Sequence, residues 1–190
     1  MSVFEIIFFV ITALMGFSIV YSTLTLGISP MPSSMKARQA MLQLSDELDH
    51  EVGMETGIAK RTGPILELGS GWGGLLISMA KKYPQREIVG FELSIMPWFT
   101  TLILIKALGL KNIKVCRQNF IKADIAGASV IFCYLFPAGM TALDDKLTGE
   151  DAWPEYLISN NFSLPSGKPM KVIELDDLYK SPVYLYKFKD

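Results

Sequence analysis

The stretch Glu67-Leu-Gly69-Ser-Gly71-Trp-Gly73-Gly74 holds four glycines within six residues. The glycines come between a short apolar run at 64–68 and a helical pattern that begins at 74 and ends at 82, where a strand should end and a helix should begin. Glycine allows a sharp turn there and lets a ligand approach the backbone closely. The spacing fits both G-x-G-x-G and G-x-G-x-x-G, and it predicts a nucleotide-type cofactor against the turn.

A second acidic residue supports a nucleotide site. Glu92 ends the next apolar run, 87–92, and follows the glycines by about 20 residues, where a carboxylate can accept hydrogen bonds from both hydroxyls of a ribose. S-adenosylmethionine and NAD both contain that sugar. Glycine spacing and Glu92 therefore leave both cofactors open.

Outward from this stretch, short apolar runs alternate with helical patterns. Runs at 64–68, 87–92, 113–116 and 129–135 are separated by predicted helices near 74–82 and 97–108, and a further helix is predicted near 140–147. This rhythm predicts an α/β fold with a doubly wound, mostly parallel sheet. The last two apolar runs of the chain, 171–175 and 183–188, are joined by 176–182, too short for a parallel crossover of about a dozen residues, so we expect an antiparallel last strand.

The N-terminal segment is the most apolar part of the chain. Residues 6–26 carry no charge, and a helix of that length spans roughly 30 Å, the thickness of a bilayer core. We therefore expect a transmembrane anchor over 1–27, with a cleaved signal or a buried helix as alternatives. Lys36 and Arg38 follow the helix, which predicts a single-pass protein with its C-terminal domain in the cytoplasm.

The remaining chain divides into two parts. Residues 28–60 are predicted to form a linker and an amphipathic helix, and residues 61–190 the catalytic domain. The 190 residues are 50% hydrophobic and 19% charged, with a net charge of −1, which does not favour nucleic acid as a partner. Cys116 and Cys133 lack the paired spacing of a metal site, so no metal is expected.

The motif around Glu67 resembles a known family. ELGSGWGG is similar to the E/D-x-G-x-G-x-G motif of class I methyltransferases, which use S-adenosylmethionine, and the antiparallel last strand resembles their seventh strand. The segments IVGFELSIMPW, VIFCYLFPAGMTALDDKL and LISNNFSLP resemble the membrane-anchored lysine methyltransferases of ATP synthase subunit c and the adenine nucleotide carrier, and their prokaryotic relatives. Trp72 and Leu93-Ser94 depart from that family's pattern.

The resemblance implies roles for individual residues. The methionine and sugar portions of the cofactor would lie among Glu67, Gly69, Ser70, Gly71 and Gly73, the ribose on Glu92, and the adenine among Leu93, Asn119 and Phe120. Tyr134 and Phe136 stand at a strand end, where their aromatic faces could hold an approaching ammonium group. Residues 29–33, Ser-Pro-Met-Pro-Ser, resemble a degenerate version of the Pro- and Thr/Ser-containing segment that follows the anchor and helps to build the family's active site, which implies a catalytic role for Ser33.

The expected function is methyl transfer from S-adenosylmethionine to a lysine of a membrane-associated protein, with the bilayer as a partner. A lipid or small-molecule methyltransferase, a catalytically inactive nucleotide-binding membrane protein and a nicotinamide oxidoreductase remain alternatives. Methylation of nucleic-acid amino groups is disfavoured because the strand end reads Tyr-Leu-Phe-Pro at 134–137, unlike the motif of those enzymes. The oligomeric state is left open.

Overall fold

The computed structural model describes residues 2–26, 33–56, 63–149 and 153–188. Two N-terminal helices precede a sheet domain of alternating strands and helices. In chain order the elements are α1 (Val3–Leu26), α2 (Met35–Thr56), β1 (Ile65–Leu68), α3 (Gly74–Lys82), β2 (Ile88–Phe91), α4 (Ile95–Ala107), β3 (Ile113–Cys116), a 3-10 turn (Phe120–Lys122), β4 (Val130–Cys133), α5 (Pro137–Gly149), β5 (Tyr156–Asn160), β6 (Lys171–Glu174) and β7 (Pro182–Lys187).

The seven strands form one sheet in the order β3-β2-β1-β4-β5-β7-β6. Strands β1 to β5 pair in parallel, whereas β7 runs antiparallel to both β5 and β6. The doubly wound, mostly parallel sheet and the antiparallel last strand are therefore confirmed. The strand order reverses between β1 and β4, and ligands of open α/β sheets bind beyond the carboxyl ends of strands at such a reversal.

Two apolar layers cover the faces of the sheet. All four residues of β1 and all four of β4 are buried, as expected for parallel strands with helices on both sides. On one face α2, α3 and α4 contribute buried residues such as Leu44, Met79 and Ile105. On the other face α5 and the chain around the 3-10 turn contribute Leu143 and Ile125.

Helix α2 is amphipathic, as its sequence predicts. Its buried residues Ala37, Met41, Leu44 and Leu48 recur at helical spacing, so one stripe of the helix packs into the core. The side chain of Ser34 caps the helix, because its Oγ accepts a hydrogen bond from the Ala37 amide at 3.1 Å. Helix α2 contacts β5 and β7, so its apolar stripe packs against the sheet.

Two helices begin earlier than their sequence patterns suggest. Helix α4 starts at Ile95 and α5 at Pro137, whereas 97 and 140 were expected. Proline is accommodated in the first turn of a helix because the amide hydrogen it lacks has no intrahelical partner there. Each proline therefore lies in the first turn of its helix, and three residues separate each helix from the preceding strand.

Helix α1 occupies the segment for which a membrane anchor was expected. In the described part of the chain, no helix combines the length and apolarity needed to cross a membrane, so the transmembrane helix expected over 1–27 is not supported. The expected boundaries after residues 27 and 60, and residues 29–32 of the Pro- and Ser-containing segment, lie outside the described residues.

Candidate active site

The turn between β1 and α3, residues 69–73, has an unusual backbone. Gly69, Gly71 and Gly73 have φ angles of 72°, 51° and 76°, in the left-handed region that favours glycine. Space is a second restriction at Gly73, where an added Cβ would lie 2.6 Å from Thr101 Cγ2. This glycine turn lies at the carboxyl end of β1, next to the reversal in strand order.

Thr101 holds the glycine turn from α4 and was not predicted from the sequence. Its side chain is fully buried, and its hydroxyl donates a hydrogen bond to the Gly71 carbonyl at 3.2 Å. The available signal was a Thr-Thr pair at 100–101 within a helix that is otherwise almost entirely apolar. A buried hydroxyl in such a helix needs a partner, and here the partner is the turn.

Glu92 lies beside the glycine turn, as predicted. It is only 8% exposed, and its two carboxylate oxygens accept backbone hydrogen bonds from Gly71 at 2.8 Å and from Ser94 at 2.7 Å. The carboxylate thus links the turn after β1 to the turn after β2. Because a carboxylate offers about four acceptor positions, it can still receive ribose hydroxyls while holding both amides. The ribose contact itself stays a prediction.

Glu67 is buried next to the start of α3. Burial is the main cause that raises the pKa of its carboxyl group well above the ordinary value, and nearby Glu92 raises it further. The positive charge of Arg38 and a hydrogen bond from the Leu76 amide oppose this shift. Among the described residues, Glu67 Oε2 has no hydrogen-bond partner. A buried acceptor of this kind is costly unless a ligand supplies a donor.

Arg38 reaches the same place from α2. A Cβ added at Gly74 would lie 2.8 Å from Arg38 Nη1, so the guanidinium group rests against the first residue of α3. Within the described ranges, Arg38 Nε and Ser70 Oγ are also buried without a hydrogen-bond partner. Ser70 was predicted at this site, whereas Arg38 was interpreted only as a charge flanking the first helix.

These unpartnered atoms fit one cofactor better than the other. A carboxylate oxygen, a guanidinium nitrogen and a hydroxyl border the glycine turn, and together they match the ammonium and carboxylate groups of an amino acid. S-adenosylmethionine carries such a group, whereas the corresponding part of NAD is an anionic pyrophosphate, which a buried carboxylate would repel. The residues therefore fit S-adenosylmethionine.

The residues expected near adenine stand at the same edge of the sheet. Asn119 follows β3, and its Oδ1 accepts a hydrogen bond from the Ile121 amide at 3.0 Å, which caps the 3-10 turn. Phe120 is half-buried against the apolar cluster, and Leu93 is 40% exposed. Because Asn119 Oδ1 already accepts the Ile121 amide, a hydrogen bond to the edge of adenine would come mainly from the Asn119 NH2 group. These three adenine contacts stay predictions.

The aromatic residues expected at the acceptor side are not packed on each other. The half-buried Tyr134 stacks on Phe162, with ring centroids 6.4 Å apart and an interplanar angle of 17°. The ring of Phe136 lies instead against the first turn of α5, within 3.2 Å of a Cβ added at Gly139. Ser33 precedes α2, and no described contact joins it to Tyr134, so its catalytic role stays a prediction.

Asn160 is a further polar residue at this edge that the sequence reasoning missed. It ends β5 and is 4% exposed, and its Oδ1 is buried without a hydrogen-bond partner in the part of the chain that the structure describes. Cys133 pairs with Ser159 in the parallel register, so Asn160 is next to Tyr134 across the two strand ends. The available signal was an Asn-Asn pair at the end of an apolar run.

Comparison with known proteins agrees with this geometry. A family model described as the ANTKMT methyltransferase domain matches residues 67–171. A protein-lysine N-methyltransferase of Saccharolobus islandicus (strain REY15A) is 27% identical over 64% of this chain and 77% of its own length. The adenine nucleotide translocase lysine N-methyltransferase of Mus musculus is 28% identical over 60% of this chain. This chain spans about half of the mouse protein's length, 49%.

Solved structures share the fold. An RNA methyltransferase from Salinibacter ruber, in complex with S-adenosyl-L-homocysteine, has a TM-score of 0.68 at 21% identity and covers 84% of this chain and 95% of its own. The magnesium protoporphyrin IX methyltransferase from Synechocystis PCC 6803, with S-adenosylmethionine bound, has a TM-score of 0.59 at 10% identity, with 81% and 80% coverage. The family match covers more than half of this chain. The protein is therefore an S-adenosylmethionine-dependent methyltransferase that belongs to the ANTKMT methyltransferase domain family.

Proposed function

We propose that this methyltransferase acts on a lysine side chain of a membrane-associated protein. The observation that carries the proposal is the acceptor side of the site, where the Tyr134 ring stacks on Phe162. The neighbouring strand ends at Asn160, whose buried Oδ1 has no hydrogen-bond partner among the described residues. An aromatic face and a carbonyl oxygen suit an amine that arrives as a cation. Both curated relatives carry lysine methyltransferase names, which supports the same acceptor.

The cofactor end of the site would be held by residues of three segments. Glu67 would accept hydrogen bonds from the ammonium group, Arg38 would donate to the carboxylate, and Glu92 would accept from the ribose hydroxyls. When bound, S-adenosylmethionine supplies a methyl group that is already activated by its sulfonium centre. The protein then has to align the amine and exclude water.

The acceptor amine must be neutral when it reacts. Asn160 Oδ1 would accept one hydrogen of the lysine Nζ and orient its lone pair, while Tyr134 and Phe162 form an apolar wall. The amine would first release one proton to water. Its Nζ would then take the methyl group as the sulfur–methyl bond breaks, with S-adenosylhomocysteine as the leaving group. Methyl transfer by these steps needs no strong general base.

Attachment to a lipid bilayer through α1 is part of the proposal. The first turns of α1 expose a row of large apolar side chains, which are costly in water and stable in lipid. They are Val3, Phe4, Ile6, Ile7, Phe8, Phe9 and Val10, with exposed fractions from 47% to 78%. Attachment confines the domain to a layer next to the membrane and raises its concentration near membrane proteins.

The experiment is methyl transfer from tritiated S-adenosylmethionine to isolated membranes by the full chain in mild detergent. We expect label in protein, at lysines identified by mass spectrometry, and at least a tenfold lower rate for Asn160→Ala with unchanged binding of S-adenosylhomocysteine. Ser163→Ala, an exposed position nearby, is the matched control. Label recovered only in the lipid extract would overturn the lysine assignment and favour a lipid acceptor.

A further inference from the structure

Helix α4 and its flanks expose an apolar face that the rest of the described chain does not cover. The face consists of Leu93, Ile95, Phe99, Ile103, Leu104 and Leu108, with exposed fractions from 39% to 53%. Ile95, Phe99 and Ile103 are four residues apart and so line one side of the helix. Helix α1 contacts α4, yet these side chains stay exposed in its presence. An exposed apolar row of this kind marks an interaction surface.

A band of positive charge lies along the same edge of the domain. Residues 93–123 contain five basic residues and no acidic residue, and all five are exposed. The rest of the chain holds 13 of the 18 basic residues and all 19 acidic ones, a net charge of −6. The five are Lys106, Lys111, Lys114, Arg117 and Lys122, on α4, on the edge strand β3 and in the segments beside it.

We propose that the α4 apolar face and this cationic edge dock on the surface of a bilayer that contains anionic lipids. The inference rests on the proposed membrane attachment and specifies the surface that faces the lipid. Apolar side chains enter the boundary of the acyl region, while flanking lysines and arginines bind anionic headgroups. A second copy of the chain would bring two cationic edges together, and nucleic acid would leave Phe99 and Ile103 in water.

Docking by this edge has a consequence for the active site. Helix α4 begins directly after the Glu92 turn, so the exposed Leu93 and Ile95 lie next to the residues that would hold the ribose. The end of the docking surface at Leu93 and Ile95 therefore lies beside the cofactor site. A lysine of a membrane protein that emerges from the bilayer would reach the site without leaving that layer.

The test combines flotation with a fluorescent contact probe. The full chain with Cys116→Ala receives an environment-sensitive nitrobenzoxadiazole label at Ile103→Cys or, as a control, at Leu178→Cys; Cys133 is buried. Leu178 is 89% exposed near the opposite, β6 edge of the sheet. With vesicles of phosphatidylcholine and phosphatidylserine, we expect several-fold brighter, blue-shifted emission at position 103 and no change at position 178.

Variants separate the two parts of the surface. Each of Lys106→Gln, Lys111→Gln and Lys114→Gln should weaken the probe response at position 103 by roughly fivefold at low salt. Phe99→Ser should weaken it more than Tyr179→Ser, a control whose ring is 83% exposed at the β6 edge. Flotation without a response at position 103 would overturn the docking surface and leave attachment through α1 intact. Failure of the full chain to float would overturn both the docking surface and the attachment through α1. RNA binding that Phe99→Ser does not weaken would show that the cationic edge binds nucleic acid instead of lipid.

Discussion

Glu92 Oε2 accepts the amide hydrogen of Gly71 at 2.8 Å, and this bond joins the turns after β1 and β2. The same carboxylate accepts the Ser94 amide through Oε1. One buried side chain therefore fixes the backbone at two places that border the cofactor site. Its loss should affect the folded state even before any cofactor binds.

Glu92→Ala should lower both stability and cofactor affinity. Two backbone amides lose a charged acceptor, so the free energy of unfolding should fall by about 1–3 kcal/mol. Glu92→Gln can still accept one amide through its carbonyl oxygen and should lose less. Urea unfolding without cofactor measures the effect, with exposed Glu174→Ala as the control. Equal stability of Glu92→Ala and the wild type would contradict the bridging role.

Gly73→Ala tests why the glycine turn needs glycine. Gly73 and Gly127 have φ angles of 76° and 69°, but only at Gly73 would a Cβ collide with another side chain, that of Thr101. Gly127→Ala should therefore cost about 1–2 kcal/mol from backbone strain alone. Gly73→Ala should cost clearly more. Thermal unfolding of the two variants measures the difference. Equal losses in the free energy of unfolding would show that the Thr101 side chain moves aside without cost.

Arg38→Met should remove the recognition of one group of the cofactor. If Arg38 donates to the methionine carboxylate, the wild type binds S-adenosylmethionine about 10- to 100-fold more tightly than its decarboxylated analogue, and Arg38→Met binds the two equally. Calorimetric titration gives both affinities. Lys36→Met, an exposed cation on the same helix, should keep the preference. If Arg38→Met weakened the binding of both ligands by the same factor, Arg38 would contribute through packing and not by recognising the carboxylate.

Glu67 should make stability depend on pH. Its pKa is raised in the folded protein, so the stability of the unliganded protein falls as pH rises above the ordinary value of 4.5 and on through the raised pKa. Glu67→Gln should remove this dependence and raise the melting temperature near neutral pH, by roughly 2–4 °C for each kcal/mol recovered. It should also weaken S-adenosylhomocysteine binding. A lower melting temperature would contradict the burial penalty.

The fold was largely predictable because its signals are local. Short apolar runs separated by helical patterns predicted the parallel strands, and the short 176–182 segment predicted the antiparallel last strand. The glycine turn and Glu92 also follow from spacing along the chain. Helix starts were misplaced by two or three residues because Pro97 and Pro137 lie within their first turns.

The residues that complete the site were not predictable in the same way. Arg38, Thr101 and Asn160 reach the glycine turn or the acceptor side only through tertiary packing of α2, α4 and β5. Arg38 was interpreted only as a flanking charge of the first helix, whereas its guanidinium group lies against the start of α3. The apolarity of α1 suggested a bilayer span that the structure does not support.

The identity of the cofactor can be measured by calorimetric titration of the full chain with S-adenosylhomocysteine and with NAD. We expect micromolar binding of S-adenosylhomocysteine, at least tenfold weaker binding to Glu92→Ala, and no binding of NAD. Preference for NAD, or no binding of S-adenosylhomocysteine to the folded protein, would contradict the assignment of the glycine turn, Glu67 and Arg38 to S-adenosylmethionine.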